Sequence, residues 1–406
     1  MTDKHIQRRQ LLEIYQAALQ AVAGDRAVAS WLQGHPLPGE WAVLAIGKAA
    51  GAMVEGARAG LGERLAEVMV ITKADHGGRP HAGEQWWEGG HPLPDERSLA
   101  AGEALLAFLA GLPERRPLLV LLSGGASALV EVLPTGMDLE QLAEVNRYLL
   151  GAGLDIEAIN RVRRRLSQIK GGRLLPQLRG RPCVQLMIAD VPGDDPAVIG
   201  SGPLLPCAEQ APPPLPEWIA ELCLPPAPAM EAGCESHVIA DNRMACEAAT
   251  RRAEALGLPV TLHSSLFTGP VEQVARQCCD SLLAGPPGLH VWGGESTVVL
   301  PAEPGRGGRN QQLALWAATF LAGQENCLLL AAATDGSDGP CSDAGGLVDG
   351  GTLARAEEEG FSAALALARA NAGALLEASG DLISTGATGT NVMDLVLGWR
   401  WGDRLR

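Results

Sequence analysis

Short apolar segments alternate with longer segments rich in Ala, Leu and Glu along most of this chain. Most of the apolar segments run into a glycine-bearing turn. Because parallel strands need helical crossovers, the alternation predicts an α/β fold with mainly parallel sheets. Ligands of such sheets bind at the carboxyl ends of the strands, so the turns there are the candidate functional segments. The predicted strands are Trp41–Ile46, Val68–Thr72, Leu118–Leu122, Val184–Ala189, His237–Ala240, Pro259–Leu262, Leu289–Trp292 and Cys327–Ala333.

A proline-dense segment divides the chain. With 406 residues, 47% of them hydrophobic, the chain can form more than one domain. Residues 204–234 contain APPPLPEW and LPPAPAM, which continue neither a helix nor a central strand. We therefore predict α/β domains at residues 1–235 and 236–406, with the helical segment before Trp41 packing on either of them. After the boundary, HVIADNRMACEAATRRAEALGLPVTLHSS predicts one βαβ unit, its helix capped near Asn242.

Charge and cysteine content limit the class of protein. The formal net charge of −15 argues against a nucleic-acid partner. The nine cysteines lack the spacing of a zinc site or a disulfide scaffold, which predicts free thiols in a reducing compartment. The N-terminus has no apolar signal region, and no segment approaches the roughly 18 apolar residues of a membrane span. We expect a cytoplasmic protein that acts on a small molecule, without a membrane partner.

The turn AIGKAAGAM is a candidate anion site. Gly47 and Gly51 flank the start of a predicted helix, where backbone amides and the helix dipole favour an anion. Lys48 adds a compact positive charge at the same point. The segment is not a P-loop, because Ala42 stands at the first glycine position and Ala49 replaces Ser/Thr. A phosphate site and a structural glycine turn are equal alternatives here.

The turn LLVLLSGGASALV offers hydroxyls and backbone amides after a buried strand. Such donors suit an oxyanion or a phosphate, since glycines let a ligand approach the backbone. A nucleophilic serine is less favoured, because Gly-x-Ser-x-Gly is absent. A tight strand-to-helix turn without function is the other alternative. The residues concerned are Ser123, Gly124, Gly125 and Ser127.

The segment LDIEAINRVRRRLSQIKGGRL predicts an amphipathic helix capped by Asp155. Gly171 and Gly172 end the predicted helix and Lys170 lies in its last turn. Arginine runs are mostly solvated faces, so at most one or two of these arginines should reach a site. The predicted buried stripe is Ile156, Ile159, Val162, Leu166 and Ile169.

Carboxylates cluster in MIADVPGDDPAVIGSGP. Asp190 ends an apolar strand, and Asp194 and Asp195 lie on the turn beyond it. Such carboxylates can hold Mg²⁺ or accept a proton from a substrate hydroxyl, whereas structural Asx-turns would use the same residues. The density of aspartates and glycines favours function.

The C-terminal half has three further polar turns. In VWGGESTVVLPAEPGRGGRNQQLAL a strand ends at Glu295, and a glycine-rich loop leads to Arg309 at a helix entrance, which suits a grip on phosphate or carboxylate. A hairpin with a flexible loop is the alternative, with Arg306 as exposed as Arg309. The turns TDGSDGP and TGATGTN contribute Asp335 and Asn391, but the aspartate spacing is not that of an EF-hand. His76, His91 and His263 lack metal-ligand spacing and are expected to be ordinary loop or core histidines.

Taken together, these segments resemble the glycerate 2-kinase family, whose C-terminal part is often labelled MOFRL. The most specific strings, in order, are GGHPLPDERS, INRVRRRLSQIKGG, ADVPGDDPAVIGSGP, GGRNQQ and TDGSDGP. The resemblance implies two α/β domains, the first Rossmann-like, with an active site in the cleft between them. It implies ATP, Mg²⁺ and the product 2-phosphoglycerate, and it matches the important lysine and arginine of the family to Lys48 and Arg309. Ala126 and Ala387 depart from the expected glycine and proline, which affects turn rigidity more than activity.

These expectations combine into a mechanism for phosphorylation of D-glycerate. Lys48 and Arg309 would neutralise the transferring phosphoryl group, which needs positioning and charge more than covalent chemistry. Asp190, with Asp194, would hold Mg²⁺ or orient the 2-hydroxyl. The Ser123–Ser127 turn and a basic residue, Arg163 or Lys170, would hold the carboxylate of glycerate. The remaining binding residues would be Glu295, Asn310, Asp335 and Asn391.

Two other functions stay open, as does a homodimer. A hydroxypyruvate reductase should carry Gly-x-Gly-x-x-Gly after a strand, but the nearest string, GAGLDI, lacks the third glycine and follows no predicted strand. A non-catalytic sugar-acid sensor would keep the cleft and tolerate the loss of Lys48.

Overall fold

Residues 3–154, 156–205, 212–227 and 233–402 are described by the computed structural model. They form two units, of which the first is Ala23–Ala240 and the second joins Met1–Val22 to Asp241–Arg406. The chain changes unit beside the predicted boundary at residue 235, but the first 22 residues group with the C-terminal half. Asp155, predicted as a helix cap, and parts of the proline-dense segment (206–211 and 228–232) lie outside the described residues.

Helices and strands alternate through most of the chain. The helices are α1 Asp3–Ala21, α2 Gly24–Gly34, α3 Ala50–Leu61, α4 Glu96–Gly111, α5 Ala126–Leu129, α6 Leu139–Gly151, α7 Ile156–Arg165, α8 Glu217–Ala220, α9 Asn242–Ala255, α10 Val271–Ala284, α11 Arg309–Phe320, α12 Thr352–Glu358, α13 Ala363–Ala368 and α14 Ala372–Ala378. The strands are β1 Trp41–Ile46, β2 Leu65–Lys73, β3 Gln85–Gly89, β4 Leu118–Leu122, β5 Cys183–Ile188, β6 Glu235–Ala240, β7 Val260–Leu262, β8 Phe267–Pro270, β9 Gly288–Thr297, β10 Cys327–Ala333, β11 Gly345–Asp349, β12 Leu382–Ile383 and β13 Asp394–Arg400.

The first unit has a six-stranded sheet in which every pairing is parallel, in the order β3-β2-β1-β4-β5-β6. Strands β1 and β4 occupy the predicted ranges, and all their residues are buried. This order is that of the doubly wound Rossmann sheet, so the Rossmann-like prediction is confirmed. Strands β2 and β3 lie on one side of β1, and strands β4, β5 and β6 lie on the other. The turns after β1 and β4 therefore lie side by side at the topological switch point.

The second unit corrects the prediction of mainly parallel sheets. Its seven-stranded sheet has the order β12-β11-β10-β13-β9-β7, with β8 also paired to β9. Strands β11 and β13 both run antiparallel to β10, and β13 runs antiparallel to β9. Neither β11 nor β13 was predicted. Antiparallel neighbours need no helical crossover, so they do not produce the alternation of strands and helices on which the prediction was based.

One local prediction was wrong. The predicted βαβ unit after the boundary does not exist, because β6 pairs with β5 in the first sheet and β7 pairs with β9 in the second. The helix α9 begins at Asn242 and is capped by the adjacent Asp241, whose carboxylate accepts from the amide of Met244 at 2.7 Å, so the predicted cap near Asn242 is confirmed. The sequence pattern there was read correctly as strand, helix and strand, but sheet membership is a long-range property.

Helix α7 ends at Arg165, so Lys170 does not lie in its last turn as predicted. The carbonyl of Arg165 accepts from the amide of Leu224 at 2.7 Å, which closes the helix end. Further on, the amides of Gly171 and Gly172 donate to the carbonyls of Ser201 and Gly202 and hold this segment against the turn after β5. The predicted stripe therefore divides between two apolar cores, with Ile159, Val162 and Leu166 in one and Ile169 in the other.

An ion-pair network joins α1 to the C-terminal part of the second unit. Arg8 contacts Asp349 at 3.0 Å and Asp381 at 2.7 Å, and Arg355 contacts the same two carboxylates at 3.2 and 2.8 Å. Lys4 adds a contact to Asp349 at 3.0 Å. Both carboxylate side chains are almost fully buried, so each depends on its arginine partners.

This network predicts acid-sensitive stability. Despite burial, hydrogen bonds from Arg355, the Gly351 amide and Lys4 lower the pKa of Asp349 to about 2. A depressed folded-state pKa stabilises the fold above the unfolded pKa near 4, and this contribution, about 2 kcal/mol, is lost as the pH falls from roughly 5 to 2. We expect urea unfolding to show Asp349→Asn less stable than the wild type at pH 7, with a gap that closes as the pH falls. A gap independent of pH would contradict this account, and Glu358→Gln, an exposed carboxylate of α12, is the control.

Among the described residues, no helix combines the length and apolarity needed to cross a membrane. The described cysteines are free thiols, and most of them are buried, as predicted.

Candidate active site

The turns after β1 and β4 are hydrogen-bonded to each other. The amide of Lys48 donates to the carbonyl of Gly124 at 2.9 Å, and the amide of Ala49 donates to Oγ of Ser123 at 3.1 Å. Gly47, at φ 130°, leaves no room for a side chain, because a Cβ there would lie 2.2 Å from Oγ of Ser123. The amides of Lys48 and Ala49 are therefore engaged in joining the two turns. Oγ of Ser123 is the acceptor there, so the predicted donation from its hydroxyl to an anion stays a prediction.

The side chain of Lys48, in the turn after β1, also reaches the turn after β4, which is called the second turn below. A Cβ added to Gly125, which has φ 86°, would lie 3.3 Å from Cγ of Lys48 and 3.3 Å from Cδ2 of His91. Lys48 and His91 thus both lie against Gly125. His91 belongs to the string GGHPLPDERS, for which the sequence analysis had assigned no residue to the site.

A cavity of about 270 Å³ opens beside the second turn. Its lining includes five of the residues predicted for the site, and it excludes Ser123, Gly124 and Asp194. The predicted residues in the lining are Gly125, Ser127, Arg163, Lys170 and Asp190. The polar residues that the sequence analysis missed are Glu131, Asn146, Asn160 and Ser201. Segments far apart in sequence therefore converge on one concave, partly charged surface.

Lys170 is already neutralised inside this cavity. Its ammonium forms an ion pair with the carboxylate of Glu131, and the two residues are 6% and 2% exposed. Glu131 also accepts from the amide of Val132 at 3.0 Å. Each charge of such a buried pair compensates the other, so removing one partner would leave an uncompensated buried charge. The isolated acid in the apolar string ASALVEVLP was the sequence signal for it.

Arg163 has a neutral partner instead. Its Nε donates to Oδ1 of Asn146 at 2.8 Å, and Nδ2 of Asn146 donates to the carbonyl of Leu142 at 3.0 Å. Burial, without a carboxylate partner, lowers the pKa of Arg163, although an arginine remains protonated at neutral pH. The cavity thus contains one cation whose charge is not balanced by a bonded carboxylate.

The turn after β5 supplies oxygen atoms. Asp190 follows β5 and lines the cavity, where Oγ of Ser127 lies 2.7 Å from Oγ of Ser201. Asp195 accepts from the amide of Ala197 at 2.9 Å, which is the Asx-turn alternative of the sequence analysis. One carboxylate and two hydroxyls fit a cation such as Mg²⁺, which prefers oxygen ligands and keeps several waters. No group of three or more His, Cys, Asp or Glu placed for a metal occurs in the described parts of the chain.

In the second unit, Arg309 is the first residue of α11 and is held by two carboxylates. Nε and Nη2 donate to the two carboxylate oxygens of Asp394 at 2.7 and 3.0 Å, and Nη1 lies 2.5 Å from Oε1 of Glu295. Although burial lowers it, these carboxylates raise the pKa of Arg309 beyond its usual range. Arg306 has a different environment, with Asp343 and Glu377 each at 2.6 Å. The flexible-loop alternative is thus not borne out, because each arginine has its own fixed partners.

Asp338 caps the same helix. Its carboxylate accepts from the amide of Asn310 at 3.0 Å and from that of Gln311 at 2.8 Å. Burial raises the pKa of Asp338 to about 7 in spite of these two bonds. Asn310 is fully buried and donates its side-chain amide to Asp338 as well, so the structure gives it a role at the helix start.

The other two predicted turns of the second unit are largely buried. Asp335 accepts from the amide of Ser337 at 2.9 Å, an Asx-turn, and is 4% exposed. Asn391 is 8% exposed. Asp394, the partner of Arg309, was not among the predicted site residues, yet an acid directly before the apolar string LVLGW was a usable signal.

The doubly wound sheet, with a charged cavity at its switch point, defines an α/β protein that takes a small anionic ligand. Two family models match the chain, a domain of unknown function (DUF4147) over residues 10–213 and the MOFRL family over residues 288–394. A D-glycerate 2-kinase of Thermotoga maritima is 34% identical, covering 98% of this chain and 99% of the relative. The chain belongs to the glycerate 2-kinase family.

Two further comparisons agree with this membership. The crystal structure of a glycerate kinase from Thermotoga maritima superposes with a TM-score of 0.85 at 32% identity, covering 98% of this chain and 100% of that one. A relative from Agrobacterium vitis, provisionally named hydroxypyruvate reductase, is 34% identical over 97% of this chain and 95% of its own length. The resemblance found in the sequence is thereby confirmed, including the reductase name attached to some relatives.

Proposed function

We propose that this chain transfers a phosphoryl group from ATP to the 2-hydroxyl of D-glycerate, giving 2-phosphoglycerate and ADP. The observation that carries the proposal is the cavity beside the turn after β4, which Arg163 and Asp190 line and where the side chain of Lys48 lies against the lining residue Gly125. Its size and its unbalanced arginine suit a small hydroxy acid, and the glycerate kinases among the relatives share nearly the whole chain.

Lys48 and Arg309 are the residues to which we assign charge neutralisation of the transferring group. Phosphoryl transfer depends on positioning and electrostatic stabilisation, so fixed cations are the groups it requires. The backbone of Lys48 is tied to the turn after β4, and Arg309 is held by Asp394 and Glu295. The guanidinium of Arg309 is therefore pre-organised by carboxylates, whereas for Lys48 the fixed part is the backbone that carries the side chain.

We assign the binding of the hydroxyl and the carboxylate of glycerate to the cavity of the first unit. Asp190 would accept a hydrogen bond from the attacking 2-hydroxyl and orient it. Ser127 and a basic residue, Arg163 or Lys170, would hold the carboxylate, with backbone amides of the second turn as further donors. Glu295, Asn310, Asp335 and Asn391 remain proposed for the nucleotide, Asn310 through the position of α11.

A divalent cation is part of the proposal. Asp190, with Asp194, would hold Mg²⁺, which when bound neutralises charge on the phosphate oxygens. The backbone of Asp194 is left-handed, with φ 52°, and this conformation sets the direction in which its side chain leaves the turn.

The reductase alternative lacks a supporting element. The string GAGLDI lies between the end of α6 at Gly151 and the start of α7 at Ile156, whereas a dinucleotide turn follows a strand. The D-glycerate 2-kinase of Thermotoga maritima matches this chain at least as well as the relative from Agrobacterium vitis that is named as a reductase.

Phosphorus NMR of the product from ATP, Mg²⁺ and D-glycerate tests the function. We expect a 2-phosphoglycerate resonance with stoichiometric ADP. A 3-phosphoglycerate resonance would keep the kinase and overturn the position of attack. Absence of any phosphorylated product, together with NADH oxidation by hydroxypyruvate, would favour the reductase.

A further inference from the structure

Two cations line the cavity of the first unit, and their surroundings differ. Lys170 is bonded to the buried carboxylate of Glu131, so the pair as a whole carries no net charge. Arg163 is bonded only to the amide oxygen of Asn146 among the described residues, so its full positive charge remains in the cavity. A carboxylate entering the cavity would meet a neutral ion pair at Lys170 and an uncompensated cation at Arg163.

Asn146 fixes the direction of Arg163 without reducing its charge. On α6, Nδ2 of Asn146 donates to the carbonyl of Leu142, one turn earlier in the same helix. That bond leaves Oδ1 as the atom that faces Arg163 on α7, where it accepts from Nε at 2.8 Å. With Nε engaged, the two terminal nitrogens of the planar guanidinium remain, and these can bind both oxygens of one carboxylate.

A carboxylate in place of Asn146 would hold the arginine equally well but would neutralise it. The amide is thus the side chain that combines an acceptor for Nε with zero charge. Asn160, one helical turn before Arg163 on α7, lines the same cavity and offers an uncharged amide for hydroxyl groups.

We propose that the carboxylate of the hydroxy-acid substrate binds to Arg163 rather than to Lys170, and that Asn146 is the positioning residue that orients Arg163 for this bond. The proposal rests on the proposed function, since it specifies where the acid group of that substrate binds. Lys170 and Glu131 then form a neutral wall of the cavity.

The test is the KM for D-glycerate, measured beside the KM for ATP. Loss of a charge-assisted, bidentate contact corresponds to a change of about 10- to 100-fold in affinity, so Arg163→Gln should raise the KM for D-glycerate by about that factor. The KM for ATP should stay within about twofold. Arg147→Gln is the matched control, because it removes the same charge from an exposed position next to Asn146 and should leave both values unchanged.

Asn146→Asp separates positioning from a structural role. The carboxylate keeps an acceptor for Arg163, so a purely structural role predicts an unchanged KM. Our proposal instead predicts a rise of about tenfold or more in the KM for D-glycerate, because the arginine is neutralised. Asn146→Leu should give a similar rise. The dissociation constant for D-glycerate, measured by calorimetric titration of each variant, should rise in the same order as the KM.

The outcomes distinguish this inference from the proposed function. Wild-type protein that neither binds nor phosphorylates D-glycerate would overturn the proposed function and the carboxylate subsite with it. Wild-type protein that phosphorylates D-glycerate, with Arg163→Gln and Asn146→Asp unchanged in KM, would overturn the subsite alone. If Asn146→Leu does not fold, Asn146→Asp still decides the matter.

Discussion

Lys48→Ala should lower kcat for glycerate phosphorylation by about a thousandfold or more, while the protein stays folded. Removing one fixed group that stabilises transition-state charge typically costs two to three orders of magnitude, and cations in phosphoryl transfer cost up to five. The backbone of residue 48 is held by its bond to Gly124 and by the neighbouring bond between Ala49 and Ser123. Truncation at Cβ leaves these bonds intact, so the loss should be in rate and not in stability.

The measurement is steady-state ADP release at saturating D-glycerate, with thermal unfolding of the same samples. Lys73→Ala is a matched control, because Lys73 is the last residue of β2, the strand that pairs with the strand before Lys48. It should keep activity within about tenfold. Turnover near the wild-type value in folded Lys48→Ala would exclude Lys48 as a catalytic residue.

Arg309→Ala should have an effect on rate as large as that of Lys48→Ala, with an additional loss of stability. Asp394 is fully buried and makes two bonds to this guanidinium, so truncation leaves a buried carboxylate without its cation. Breaking such a pair costs about 3–5 kcal/mol. The rate effect and the stability effect therefore have to be separated by a second variant.

Arg309→Lys provides that separation. It keeps a positive charge beside Asp394 and so should retain most of the stability, but it cannot bond two carboxylates and a phosphoryl group at once. We expect kcat to fall by about a hundredfold with a small change in melting temperature. Arg306→Lys, on the same loop with partners Asp343 and Glu377, is the control and should stay near wild type. Equal losses in both lysine variants would mean that the loop, and not Arg309, is needed.

The two units differ in how their candidate cations are held. Arg309 is surrounded by acidic groups, including Asp394 and Asp338, which fix it tightly and raise its pKa. Arg163 has a neutral amide as partner and is open to an anion. This difference agrees with the two roles that we propose, namely the bonded Arg309 for the phosphoryl group and Arg163 for the carboxylate of the substrate.

The sequence by itself determined the elements whose signals are local. Uninterrupted apolar runs predicted β1, β4 and β10 at their observed bounds, because strands buried on both faces need no partner to be recognised. Glycine turns at the carboxyl ends of such strands located Lys48, Gly125, Ser127 and Asp190. The ordered strings of the chain identified the family.

Only the tertiary structure decided which elements and side chains are paired. The antiparallel partners β11 and β13, the placement of β6 and β7 in different sheets, and the end of α7 at Arg165 all depend on long-range hydrogen bonds. The same holds for the charged groups. Asp394 is 85 residues from Arg309, and Glu131 is 39 residues from Lys170. A carboxylate or amide has the same local signal whether it is solvated or bonded to a distant cation, so the balance of charge in the site became visible only in the folded chain.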